Sequence, residues 1–89
     1  MLTQVRYQGY APSFLEQSEL EATINQVRKA APKNASIFAL IESDGREFCC
    51  TIDVFLEKRS VYTSDIAGTV DLAIFNAVNA IEKKLAVLN

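Results

Sequence analysis

Two cysteines stand side by side in Glu47-Phe48-Cys49-Cys50-Thr51-Ile52-Asp53-Val54-Phe55, and their side chains are the most reactive the chain contains. A vicinal pair invites three chemical readings: a reactive dithiol, a metal site or a disulfide. The stretch has the composition of a strand, and consecutive strand residues point to opposite faces, so neither a shared metal nor a relaxed disulfide fits. Two small hydrophobes is the plainer reading, with Cys50 in the core and Cys49 on the other face. A redox-sensitive Cys49 would need an electropositive neighbourhood, which the surrounding residues do not supply.

Other candidate chemistry is sparse. Asp53, Glu57 and Asp65 are acids that a sheet could gather toward one end, but the chain has no histidine to act as a general base or zinc ligand. Gly9, Gly45 and Gly68 are isolated, so no glycine-rich loop cradles a phosphate. The expectation is a protein that is not an enzyme and takes no cofactor, metal or small-molecule substrate.

Basic residues occur in three groups: Arg28/Lys29/Lys33, Lys58/Arg59 and Lys83/Lys84. Helix ends and hairpin tips commonly carry Lys and Arg for solvation alone. The functional alternative is an edge of two helices on which Arg28, Lys29, Lys33, Lys83 and Lys84 contact RNA phosphates, positioning the protein without reading sequence. Composition argues the other way, because 9 Lys and Arg against 11 Asp and Glu give a net charge of -2, whereas phosphate-binding domains are normally basic.

The elements that must position these groups follow from hydrophobic spacing. Val5 and Tyr7 alternate with polar residues in a first strand over 3–10. Ser13-x-x-Glu16 and Ser18-x-x-Glu21 both have capping-box spacing, and Leu20, Ile24, Val27 and Ala31 mark a helix stopped by Pro32. Ser43-Asp44-Gly45-Arg46 separates two apolar runs as a hairpin. With Asp44 and Gly45 as its two turn residues, Ile41 faces Phe48, Ala39 faces Cys50 and Ile37 faces Ile52. A second turn at Lys58-Arg59 sets Leu56 opposite Val61 and Val54 opposite Thr63, giving a fourth strand over 60–64. Val70, Ile74, Ala77, Val78, Ile81, Leu85 and Leu88 form one helical stripe behind an N-cap at Gly68-Thr69.

The expected class is α+β, ordered β-α-β-β-β-α, with a four-stranded sheet and two helices packed on one face. One domain should cover residues 1–89, since a chain this short supports a single modest core. The other sheet face is then open and unusually apolar, with Phe38, Leu40, Cys49, Phe55 and Tyr62 offering a surface for a protein partner or a homodimer. No basic, apolar leader and no apolar run approaching roughly 18 residues is present, which with the low cysteine count suggests the cytoplasm and no membrane.

This order resembles the ribosome hibernation-promoting factors, a family of ribosome-associated translation inhibitors. The resemblance rests on Ser13 opening the first helix, on Leu20/Ile24/Val27/Ala31 followed by Ile37-Phe38-Ala39-Leu40-Ile41, and on Ser64 through Val70 leading into the last helix. It implies a cytoplasmic regulator that binds the rRNA of the small ribosomal subunit, where mRNA and tRNA would sit, during ribosome hibernation. The family's last helix usually carries several Lys and Arg; here Lys83 matches one such position, while Ala80, Val87 and Asn89 occupy others. Its Asp-Met/Leu-Tyr opening reads Thr69-Val70-Asp71. A divergent member that contacts protein instead of RNA is the alternative. A double-stranded-RNA-binding domain shares the α-β-β-β-α core, but the second helix lacks lysine before Lys83, where that domain has a phosphate clamp.

Overall fold

Apolar alternation produces four strands in one sheet, and helical periodicity covers one of its faces. The computed structural model describes residues 2–88. Its elements are β1 (Leu2–Gln8), α1 (Phe14–Asn25), α2 (Val27–Ala30), β2 (Ser36–Ser43), β3 (Phe48–Phe55), β4 (Ser60–Ala67) and α3 (Val70–Val87). The sheet order is β1-β2-β3-β4; β1 and β2 run parallel, and the two later pairs are antiparallel. The helices α1 and α2 form the crossover that a parallel pair requires.

The first helix starts where the earlier serine predicts. Ser13 Oγ accepts from Glu16 N at 3.2 Å and Glu16 Oε1 accepts from Ser13 N at 3.4 Å, completing the capping box. Ser18 lies inside the helix, its hydroxyl donating to Phe14 O at 3.2 Å. The expected single helix breaks at Gln26 into α1 and α2, which ends before Ala31. At the last helix Thr69 Oγ1 accepts from Leu72 N at 3.3 Å, confirming the cap.

Both hairpin registers differ from expectation by two residues. In β2–β3, Ile41 faces Cys50, Ala39 faces Ile52 and Ile37 faces Val54. The reason is a four-residue connection rather than a two-residue turn: Asp44 Oδ1 accepts from Arg46 N at 2.9 Å and from Glu47 N at 3.0 Å, while Gly45 takes a φ of 95°. In β3–β4 the strands close one step earlier, with Leu56 N donating to Arg59 O at 2.8 Å around Glu57-Lys58. Val54 therefore meets Val61, and Asp53 rather than Phe55 meets Tyr62. A slip of two preserves the face of every side chain, so the core is the expected one. The first strand ends at Gln8, two residues early, and the fourth continues to Ala67, three residues late.

Ile37, Ala39, Ile41, Cys50, Ile52 and Val54 from the sheet pack against Leu20, Ile24, Val27, Ala73, Ile74, Ala77, Val78, Ile81 and Leu85 from the helices. Each fully buried Ile, Leu or Val contributes about 1.5–3 kcal/mol before conformational entropy is set against it. At the β1–α1 turn Gly9 has a φ of 71°, and a Cβ there would lie 2.2 Å from Ser43 O. Only glycine lets this turn close onto the end of β2.

The topology fixes helix direction. Each of α1 and α3 returns antiparallel to the strand before it, and β1, β2 and β4 run alike, so α1 and α3 point the same way. Their N-termini share one end of the sheet, with the β2–β3 turn. Their C-terminal ends share the other, with the β3–β4 turn.

Candidate nucleic-acid interface and open sheet face

Parallel helices bring the three basic groups together. Arg28 and Lys29 lie in α2, Lys33 follows it, and Lys83 and Lys84 lie in the last turns of α3. The β3–β4 turn brings Lys58 and Arg59 to the same end, where they and Glu57 line a hollow of about 320 Å³ between that turn, the end of α2 and the end of α3. Cations there also face the carbonyl end of the long helix α3, which favours them. Lys58 and Arg59 were not among the residues assigned to RNA from sequence; the shared helix direction implied by a parallel β-α-β crossover was the signal that placed them.

Two of the five assigned side chains have structural partners. Arg28 Nη1 donates to Ala35 O at 2.5 Å and its Nη2 to Thr3 Oγ1 at 2.8 Å, tying α2 to the start of β2 and to β1. Lys84 reaches round the edge of β4, donating to Tyr62 O at 2.6 Å with its ammonium 5.6 Å from the Tyr62 ring centroid. Lys29, Lys33 and Lys83 are exposed.

The opposite end is acidic. Glu16, Glu19 and Asp71 stand in the N-terminal parts of the helices, Glu21 a turn further along α1, and Glu42, Asp44, Glu47 and Asp65 around the adjacent strand ends, so this half holds most of the 11 acidic residues. Asp44 is held below the usual carboxylate range by the amides of Glu47 and Arg46. Tyr7 Oη donates to Glu21 Oε2 at 3.0 Å, and burial followed by this carboxylate pushes its phenol up. Tyr10 packs edge-on to Phe48 at 5.2 Å, and burial, with Glu16 beside it, pushes its phenol up to about 12. Its hydroxyl is shut off from solvent with Glu16 near but outside hydrogen-bond geometry. The net charge of -2 is thus the sum of two poles of opposite sign.

The open face carries Phe38, Leu40 and Cys49 half-buried, and Phe55 and Tyr62 exposed. The Phe38 and Phe55 rings meet edge to face at 5.4 Å. Cys49 Sγ lies 3.3 Å from Ser64 Oγ, which lies 3.1 Å from Thr51 Oγ1, a small polar cluster further along the sheet than the aromatic residues. Cys50 is fully buried, and desolvation, then Cys49 and Asp65, push its thiol up to about 12. Both cysteines are free, and among the described residues no group of three or more potential ligands is placed to hold a metal. No described helix is long and apolar enough to cross a membrane.

A four-stranded mixed sheet with β1 and β2 parallel, one face covered by helices and the other open, is a fold shared with solved structures. The chain is similar to the Protein Y N-terminal domain of Thermus thermophilus, with a TM-score of 0.80 at 13% identity over 97% of this chain and 96% of that one. It is equally similar to a ribosomal subunit interface protein from Coxiella burnetii, with a TM-score of 0.81 at 13% identity over 99% and 97% of the two chains. No protein-family profile and no curated protein sequence matches it. The likeness therefore lies in the fold.

Proposed function

We propose that this protein is a non-enzymatic, cytoplasmic regulator of translation that binds the small ribosomal subunit through its basic pole. The observation carrying this reading is the convergence of Lys29, Lys33, Lys58, Arg59 and Lys83 on one end of an acidic protein. A local basic surface binds phosphates whatever the total charge where positive charge prevails locally; Glu57 and Glu82 accompany Arg28, Lys29, Lys33, Lys58, Arg59, Lys83 and Lys84 at this end, and the acidic pole lies at the other end of a molecule 37 Å long, against a Debye length of about 8 Å at physiological salt. Arg28 and Lys84 support that surface, the first by fixing α2 and the second by packing on β4. The shared fold with a ribosomal subunit interface protein supports the same partner.

Co-sedimentation with purified small ribosomal subunits at low and moderate salt tests this. Wild type should comigrate and be released as salt rises, because phosphate neutralisation releases counterions. Absence from the subunit pellet at both salt concentrations would sink the proposal.

A second reading assigns the open face to protein contact, favoured by the Phe38–Phe55 pair beside exposed Tyr62. If that face forms a homodimer, analytical ultracentrifugation should show a concentration-dependent dimer that Phe55→Asp dissociates, since the new carboxylate would be buried unpaired. A wild-type monomer at high concentration excludes it.

A further inference from the structure

The acidic end bears an apolar surface that neither reading uses. Phe14, Leu15, Leu72 and Phe75 are 86%, 71%, 49% and 57% exposed, and all lie in the N-terminal parts of α1 and α3. Two hollows of about 550 and 350 Å³ lie side by side in the trough between the helices, with Glu19, Leu20 and Asp71 lining both. Leu72 and Phe75 line one part of it and Leu15 the other. Glu16 and Asp71 have local duties, one in the capping box and the other in the first turn of α3, where a carboxylate is favoured by the helix dipole. Glu19 has neither duty, and neither it nor Asp71 has a cationic partner among the described residues.

We infer that this trough is a docking site for a cationic amphipathic helix of another protein, its apolar residues seated on Leu15, Leu72 and Phe75 and its Lys or Arg flanking Glu19 and Asp71. Charge complementarity selects the occupant. The carboxylates repel nucleic acid, whereas a helix with apolar residues at i, i+3 and i+4 and basic neighbours satisfies both the exposed apolar side chains and the carboxylates between them. A second copy is a poorer match, because its basic end presents Val87 on α3 and Phe55 on the sheet face, not a helical row of apolar residues flanked by cations. With RNA at one pole, the protein would bridge RNA and protein.

The test uses a fluorescently labelled synthetic Leu/Lys peptide of about 18 residues, long enough to form a helix on binding, and a control of identical composition with the leucines dispersed around the helix. Anisotropy titrations at moderate salt should show binding of the amphipathic peptide and weaker binding of the control. Phe75→Ser should weaken binding about tenfold, as expected for a central apolar anchor. Glu19→Lys should weaken it and flatten its salt dependence, while Phe55→Ser on the sheet face leaves it unchanged. These positions are exposed, so each variant should fold, which circular dichroism checks. The inference is overturned if neither peptide binds, if both bind equally, or if folded Phe75→Ser binds like wild type. It is also overturned if the wild type self-associates in sedimentation and Lys83→Glu abolishes this, since the trough would then accept a second copy. None of these outcomes depends on ribosomes, so the docking site and subunit binding stand or fall separately.

Discussion

The two ends of the sheet are built from the same parts and differ in what those parts leave free. At the acidic end, helix N-termini, strand ends and a hairpin turn surround aromatic residues and carboxylates, several held in local hydrogen bonds. At the basic end, helix C-termini and the other hairpin present Lys29, Lys33, Lys58, Arg59 and Lys83 to solvent, while Arg28 and Lys84 are tied to backbone carbonyls. Helix dipoles account for the sign of charge at each end. They do not account for the exposed apolar side chains of Phe14, Leu15, Leu72 and Phe75 on the helices at the acidic end. The lesson is that net charge is a poor guide when topology sorts the charges.

Substitutions at each end test this contrast, beginning with the largest expected effect. Gly9→Ala should destabilise by at least 3 kcal/mol in urea unfolding, because it forces a positive φ on alanine and drives its Cβ into Ser43 O. A near-wild-type midpoint would mean that the acidic end is not closed by this turn. At the basic end, Arg28→Gln should cost about 2 kcal/mol by uncovering Ala35 O and Thr3 Oγ1. Lys29→Gln should cost almost nothing in stability while weakening subunit binding, and the pair of measurements separates support from contact.

Smaller effects sharpen the acidic end. Ser13→Ala should cost about 1 kcal/mol and Ser18→Ala less than about half that, since one serine caps α1 and the other lies within it. Equal costs would contradict the assignment. The last effect is confined to alkaline pH. Tyr10 has a folded pKa of about 12 against an ordinary 10, so its neutral phenol contributes stability that is complete below pH 10 and lost as pH rises through about 12. Unfolding midpoints measured from pH 9 to 12 should fall in that window, and the fall should be shallower in Tyr10→Phe.

Much of the fold was legible because its signals are local. The Ser13 capping box, the stripe from Val70 to Leu88 and the opposite faces of Cys49 and Cys50 depend on periodicity and on contacts within one turn. The hairpin registers were misread because Asp-Gly suggests the shortest turn, whereas the Asp44 carboxylate accepts two amides and lengthens it. The candidate RNA surface was legible as three basic groups but not as one surface, and Arg28 and Lys84 did not announce their partners, which lie 7 and 22 residues away.

Residue order by itself determined the order of strands and helical segments and their buried faces, because each follows from the 3.6 and 2.0 residue periods of helix and strand, while it left Ser13 and Ser18 as alternatives for the first cap. Tertiary structure decided the pairing registers, the partners of Arg28 and Lys84, and the division into acidic and basic poles. The physical reason is that these depend on the relative direction of elements distant in sequence. A parallel β1–β2 crossover aligns α1 with α3, and only that alignment brings their like-charged ends together.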